Sequence, residues 1–338
     1  MKRAGTNTID KVNIGLMLLS VIVAFMFPFE LFLFVYAFLG PLHYLTEINW
    51  LHKKHYFTTH KNDYFIIVVL TVIISILLLS SSKYKVFVPL LMFFTFGATF
   101  AMVFFTTLKR KILFAMLCGL VGIGLFYGFR PHLRLVFSIL LPSIIHVFIF
   151  TGLFILLGAL KSKSGAGIAS VIVFTLCAVV TLFVNLDVNY TAVSQYIHSS
   201  YSVFRGINRV LIGFLNALHT IDIRNDLQAP SYITDNELPI YLSDTGIRVM
   251  RFIAFAYTYH YLNWFSKTSV IQWHNTKKRN LVLIIAIWVA SVALYVYNYR
   301  TGLSWLYVLS LGHVLLEFPL NHRSFIDIKQ QLTARLSR

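Results

Sequence analysis

The sequence predicts an all-α fold, a polytopic integral membrane helical bundle of about ten transmembrane helices. Of its 338 residues, 58% are hydrophobic and 12% are charged, whereas about 25% of residues are charged in an ordinary soluble domain. Apolar runs, several of them near the roughly 20 residues that cross a bilayer, alternate with polar or basic connectors. Both cysteines, Cys118 and Cys177, lie inside apolar runs, which excludes a disulfide framework.

Ten apolar segments are predicted to span the membrane within a single transmembrane domain, residues 1–338. Pro28 and Glu30 separate the first two segments, so this pair can also form a re-entrant hairpin or one kinked helix. The first segment follows basic residues, as in a signal sequence, but it has no small-residue cleavage site and is expected to be retained. The ten segments are residues 14–27, 29–46, 64–80, 86–106, 112–127, 135–159, 167–186, 248–265, 280–298 and 303–320.

The distribution of basic residues predicts the orientation. With ten spans, the side of the N-terminus collects 19 of the 29 Lys and Arg residues, and such an excess marks the cytoplasmic side. Both termini are therefore expected to be cytoplasmic, in a bacterial-type inner membrane. The net charge of +17 does not indicate nucleic acid, because the basic residues fall between apolar runs and not on one soluble module. Anionic membrane lipids are the expected partners of this charge.

One long connector, residues 187–247, is expected outside the cytoplasm. It carries six of the twelve acidic residues. Within it, Val203–Leu218 alternates apolar residues with Arg and Asn, a pattern typical of an amphipathic helix lying at the membrane interface. This segment is either a lid over a lipid-facing entrance or a solvated connector.

Four of the twelve histidines fall within predicted spans. Ionisable side chains are costly in hydrocarbon and indicate functional sites. His43, His146, His260 and His313 are all predicted at mid-membrane depth or nearer the cytoplasmic end. A hydrogen bond to a neighbouring helix would be sufficient to explain the presence of any single one of these histidines in the membrane. Together, their common depth favours the ligand set of one metal ion.

Two glutamates accompany these histidines. Glu47 follows His43 by four residues, and Glu317 follows His313 by four, so each pair shares one face of its helix. Such a carboxylate can bind the metal directly or can accept a hydrogen bond that orients the imidazole. Imidazole and carboxylate ligands without thiolate favour iron, zinc, copper or nickel over calcium.

A second group of histidines lies near the predicted cytoplasmic loops. They could bind a second metal, as in di-metal membrane hydroxylases and desaturases, or could orient the first ligands. No HxxHH box occurs in the sequence, and a solvated basic loop in contact with lipid headgroups also explains these residues. The group consists of His52, His55, His274 and His322, with His60 beyond the first two.

Four short motifs resemble the Brp/Blh-type membrane β-carotene dioxygenases, bacterial and archaeal enzymes that cleave β-carotene to retinal. The early G-[LI]-P-H-G-A-[LI]-D motif of that family is similar to G40-P41-L42-H43-Y44-L45-T46-E47. Its S-I-I-H helix resembles S143-I144-I145-H146, and its aromatic-rich helix resembles the segment 256–265 around His260. Its late P-H-x-x-x-[DE]-F helix resembles G312-H313-V314-L315-L316-E317-F318. The four motifs come in the same order and cover about a tenth of the chain.

The chain departs from this family at several positions. Trp264 stands where the family has a second histidine, Glu47 replaces an aspartate, and Tyr44-Leu45 replaces Gly-Ala. The resemblance therefore implies a related architecture and a histidine-bound non-haem iron, with a different substrate.

These observations lead to the hypothesis of a membrane-embedded iron oxygenase that uses dioxygen on a lipophilic polyene or isoprenoid. Zinc or a di-iron site is possible, and Glu47 and Glu317 would assist the metal. The alternatives are a transporter or proton-coupled protein that uses the buried His and Glu residues, and a structural protein without chemistry. The aromatic residues expected to line the substrate tunnel are Tyr44, Tyr257, Tyr259, Tyr261, Trp264 and Phe318.

Overall fold

The computed structural model describes residues 2–184, 193–216, 229–267, 272 and 275–336. Within these ranges every regular element is a helix and no strand occurs, which confirms the all-α class. The first helices are α1 (Lys2–Met26), α2 (Pro28–Lys53), α3 (Tyr64–Leu79), α4 (Val88–Phe104), α5 (Leu108–Gly128) and α6 (Arg130–Leu133). A π-helix (Arg134–Phe150) leads into α7 (Thr151–Ser162), followed by α8 (Gly165–Phe183), α9 (Gln195–Tyr201), α10 (Arg205–Asn216), α11 (Leu238–Tyr241), α12 (Asp244–Ser266), α13 (Lys278–Tyr297) and α14 (Tyr299–Leu336).

Eight of the described helical segments are long and apolar enough to cross a membrane. Their outward faces carry large apolar side chains, such as Leu120 on α5, which is 69% exposed. Continuous apolar surface of this kind is rare on soluble proteins and is expected against lipid tails. The two other predicted spans also form helices, but α3 has 16 residues and α12 is interrupted by polar side chains such as Arg248 and Asn263.

The chain divides into two compact units. The first contains residues 1–39 and 158–267, and the second contains residues 40–157 and 268–338. The division falls within α2, between Leu39 and Gly40, and within α7.

In the first unit, α1, α8 and α12 pack against one another. A polar contact joins two of these helices, because the Tyr259 hydroxyl donates to Oδ1 of Asn13 at 3.0 Å. α12 begins at a tight turn, where the Ser243 hydroxyl accepts from the Gly246 backbone N–H. A Cβ at Gly246 would lie 2.2 Å from the Pro239 carbonyl oxygen, so this close approach requires glycine.

The predicted amphipathic helix is present as α10, although residues 217 and 218 lie outside the described ranges. Asn208 and Ile212 are buried, while Arg209 and Gly213 are exposed. The Asn208 side chain accepts a hydrogen bond from the Tyr201 hydroxyl at 2.6 Å. One face of α10 therefore packs on the first unit, and the other face is open.

A buried ionic network holds α9, α10 and α11 together around Glu237. Its carboxylate is paired with Arg205, lies 2.9 Å from Nε2 of His198, and accepts from the Thr234 N–H at 3.2 Å. Arg205 also donates to the Tyr241 hydroxyl at 2.9 Å. Burial disfavours the charged carboxylate, but these hydrogen bonds and the Arg205 charge outweigh that effect and lower the pKa of Glu237 to about 2.

Replacing Glu237 with glutamine is expected to loosen this connector. A hydrogen bond to a charged group contributes about 1.5–3 kcal/mol, so amide hydrogen exchange in residues 195–241 should accelerate accordingly. An unfolded glutamate titrates near pH 4.3, and its folded pKa is lower, so the stabilisation is present above that pH and is lost as the pH falls towards 2. Asp235→Asn makes the same charge change at an exposed neighbouring residue and should leave hydrogen exchange unchanged. Equal acceleration in both variants would contradict the stabilising role of the Glu237 network.

In the second unit, α14 is the central helix and packs against α3, α4, α13 and the π-helix. α3 and α14 approach each other at Gly312, where a Cβ would meet the Thr71 methyl group at 3.5 Å, an ordinary van der Waals distance. Phe318 is fully buried against Phe96 of α4, with ring centroids 5.1 Å apart. The apolar core of this unit therefore surrounds the segment of α14 that carries His313 and Glu317.

The segment that carries His146 is wound as a π-helix. Its i→i+5 hydrogen bonds make a wider turn than an α-helix, and such winding is frequent at functional sites. Pro142 lies inside it and lacks a backbone donor. The adjacent Ser143 hydroxyl donates to the Ile139 carbonyl. Sequence periodicity gives no indication of this winding.

Candidate metal centre

Three helices of the second unit bring the candidate site together. α2 supplies His43 and Glu47, the π-helix supplies His146, and α14 supplies His313 and Glu317. The exposed fraction of each of these five residues is 4% or less. The sequence separations among them are large, so only packing of the three helices places them together.

The first polar pair joins His43 and Glu47. Nε2 of His43 lies 3.0 Å from Oε2 of Glu47, one turn further along α2. The contact expected from the four-residue spacing is therefore present. The contact is an ion-pair distance, and Oε2 of Glu47 accepts no hydrogen bond from the described residues. A neutral imidazole protonated on Nε2 would carry its lone pair on Nδ1.

The second pair joins two helices and differs from the expectation. Nδ1 of His146 lies 2.9 Å from Oε2 of Glu317. The carboxylate of α14 is therefore paired with the imidazole of the π-helix, whereas the four-residue spacing suggested His313 on its own helix. A spacing of four residues indicates which side chains can meet within one helix. It gives no information about contacts with side chains of another helix. This contact is also an ion-pair distance, and Oε2 of Glu317 accepts no hydrogen bond from the described residues. A neutral imidazole protonated on Nδ1 would carry its lone pair on Nε2.

His313 lies between these two pairs. Its ring centroid is 5.4 Å from that of His43 and 5.0 Å from that of His146. One ring nitrogen of His313 and one of His43 lie within 4.8 Å of each other, a separation that one metal ion can bridge. The Tyr44 ring stacks on His313, with centroids 4.1 Å apart, and holds the imidazole plane in place.

The charges of these groups fit a divalent cation. Among the described residues, Glu47 and Glu317 are ion-paired only with histidines. The two carboxylates are close enough to repel each other, and an uncompensated buried charge is costly. With three neutral imidazoles and both carboxylates ionised, the site would carry two negative charges, which one divalent ion would balance. Two imidazolium–carboxylate pairs would also balance the charge, but that state leaves no lone pair on either paired imidazole for a metal.

His260 and several predicted tunnel residues lie on α12, in the first unit. His260 is buried, and its ring centroid is 5.4 Å from that of Tyr261. Tyr257 packs edge-on against Phe32, and the Tyr259 hydroxyl is bonded to Asn13. Trp264 and Tyr261 are buried as well. The ligand role of His260 and the tunnel role of these aromatic residues stay predictions.

Three of the histidines proposed for a second metal, His52, His55 and His322, lie in the described part of the chain. His322 directs Nε2 to the Phe96 carbonyl at 3.0 Å and to Oγ1 of Thr99 at 3.1 Å. Nδ1 of His52 lies 3.4 Å from the Tyr56 hydroxyl, and His55 is exposed. In the described part of the chain, none of these three belongs to a cluster of three or more potential ligands. His274 lies outside the described residues.

Sequence reasoning missed Asn321. This side chain is 2% exposed, and neither of its amide atoms has a hydrogen-bond partner among the described residues. Asn321 lies one turn after Glu317 and one turn before Phe325. The centroid of the Phe325 ring is 6.1 Å from that of Phe150. It therefore lies on the strip of α14 that faces the helix of His146. The regular spacing 313, 317, 321 is the signal that could have identified it.

Comparisons with protein-family models, with curated proteins and with solved structures gave no match for this chain.

Proposed function

We propose that the second unit binds a divalent metal ion, most suitably iron, and that the protein is a membrane-embedded oxygenase of a lipophilic polyene or isoprenoid. The observation that carries this proposal is the set of three imidazoles and two carboxylates buried in one apolar core. Histidine and carboxylate ligands are typical of iron sites that react with dioxygen. The resemblance of four short motifs to the Brp/Blh-type dioxygenases favours iron over zinc.

The histidines, the glutamates and the apolar core would have different roles at this site. His43, His146 and His313 would hold the ion through the ring nitrogens that carry lone pairs. Glu47 and Glu317 would fix the tautomers of His43 and His146 and would make these imidazoles stronger donors. The bound metal would supply the binding and activation of dioxygen. The surrounding apolar core would exclude water, which keeps a reactive site from side reactions.

Metal analysis of the purified protein tests this proposal. Protein expressed in iron-supplemented cells and purified in detergent should contain about one iron per chain by elemental analysis. Zinc in place of iron would keep the metal site but remove the oxygenase assignment. A metal-free protein that cannot be loaded with Fe²⁺ under reducing conditions would overturn the proposal and favour a proton relay built from the same residues.

Substrate class and ligand number need separate measurements. A carotenoid or other polyene bound to the protein should be visible as an absorbance band after purification, and aerobic turnover should change that band. The role of His260 rests on the sequence alone; His260→Ala should lower iron content if this residue is a fourth ligand and should leave it unchanged otherwise.

We also propose ten membrane spans with both termini in the cytoplasm, in which α3 and α12 cross in addition to the eight apolar helices. The excess of Lys and Arg on one side supports this topology. Single cysteines introduced into the connectors of a cysteine-free protein and labelled with a membrane-impermeant reagent would test it. Labelling of the 53–63 connector from outside intact cells would contradict it.

A further inference from the structure

A cavity at the start of the long Arg130–Ser162 span is not part of the metal centre. Its volume is about 580 Å³, and it is lined by Arg130, Pro131, Arg134, Leu135 and Ile139. The two arginines follow each other by one helical turn, so both reach the same opening. The Arg130 guanidinium lies over the Phe126 ring, 5.3 Å from its centroid, which positions it at the cavity.

Neither guanidinium has a carboxylate partner within the described ranges of the chain. The sequence explains this, because no Asp or Glu occurs between residues 64 and 186. Across its whole length the second unit has eighteen Lys and Arg residues and only four Asp and Glu residues. Two of those acids belong to the metal centre, and Asp63 is bonded to Lys111 at 2.6 Å. Arg130 and Arg134 are both exposed, so an anion from outside the chain can reach their guanidinium groups.

The surroundings of the cavity indicate where that charge comes from. α5, an apolar helix long enough to span, ends at Gly128, and the next span begins at Arg130. The turn between them therefore lies near the membrane surface. Tyr127 is 83% exposed and Phe129 is 60% exposed, and aromatic residues at this level are typical of the membrane interface. Leu135 and Ile139 add apolar side chains to the cavity wall, and both belong to the apolar Arg130–Ser162 span.

We propose that this cavity binds the phosphate headgroup of an anionic phospholipid. Arg130 and Arg134 would each donate to the phosphate oxygens, for which the planar guanidinium is well suited. Leu135 and Ile139 would contact the first part of an acyl chain. A free phosphate ion matches the arginines but not the apolar wall, so the site is expected to discriminate in favour of the lipid.

Lipid retention measured by native mass spectrometry tests this site on the full-length protein. Wild-type protein is reconstituted in nanodiscs with equal amounts of phosphatidylcholine and phosphatidylglycerol. It is then released from the nanodiscs in the mass spectrometer, and the lipids that stay bound are counted. We expect it to retain phosphatidylglycerol preferentially, and Arg130→Gln/Arg134→Gln to retain one such lipid fewer. Arg130→Lys/Arg134→Lys keeps the charge without the planar guanidinium and should give intermediate retention. The matched control is Lys109→Gln/Arg110→Gln, which removes two exposed cations at the other end of α5 and should retain as much phosphatidylglycerol as wild type.

Two further measurements separate the possible outcomes. Phosphatidylglycerol should raise the melting temperature of the wild type more than that of the Arg130→Gln/Arg134→Gln variant, and inorganic phosphate should raise neither. If phosphate stabilises the wild type as well as the lipid does, the site is an anion site and the proposal fails. It also fails if both double variants lose lipid equally, because the effect is then one of net charge.

Discussion

Alanine at His146 is expected to remove the metal from the protein. This side chain is 1% exposed and is held by Glu317 of another helix, so no water or neighbouring side chain can easily replace its ring nitrogen. Loss of a residue that merely orients a ligand lowers metal affinity about 10–100-fold, and loss of a ligand itself should exceed that. Elemental analysis of the purified variant and titration with Fe²⁺ measure the effect.

His322→Ala is the matched control for this experiment. His322 is also a buried histidine, on α14, but it is bonded to Phe96 and Thr99 of α4 and not to the site. Its loss should lower the melting temperature, because buried polar groups lose their partner, and should leave the metal content unchanged. Equal metal content in His146→Ala and wild type, with both proteins folded, would remove His146 from the site. A His146→Ala protein that fails to fold would be replaced by His146→Gln, which keeps a polar side chain of similar length.

Neutralising the two carboxylates is expected to weaken metal binding without removing it. Glutamine has the shape of glutamate and keeps an acceptor oxygen, but it lacks the charge that balances the ion and strengthens the imidazole donor. Glu47→Gln and Glu317→Gln should each lower iron affinity about 10–100-fold, and the double variant should lower it further. Competition with a chelator of known affinity provides the measurement.

Asp63→Asn provides the comparison for these two variants. Asp63 is a carboxylate of the same unit that is paired with Lys111, so its neutralisation changes the net charge equally but touches no site residue. We expect iron affinity as in the wild type. If Asp63→Asn weakens binding as much as Glu317→Gln, the effect arises from the overall field of the protein and the assigned role of Glu317 is wrong.

Much of this protein could be predicted from its sequence alone. Long apolar runs dictate membrane helices, because each backbone group must be satisfied within its own helix in lipid. The eight long apolar helices and the amphipathic character of α10 follow from such local patterns. The contact of His43 with Glu47 is local in the same sense, since both residues lie on one turn of one helix.

Contacts between distant segments were decided only by the tertiary structure. The pairing of Glu317 with His146, the stacking of Tyr44 on His313 and the contact of His322 with Thr99 of α4 all depend on which helices pack together. The π-helical winding of the His146 segment was likewise not predicted from its apolar pattern. Helix formation is governed by hydrogen bonds a few residues apart, whereas these contacts join residues that are far apart in sequence, so their geometry arises only when the helices have packed.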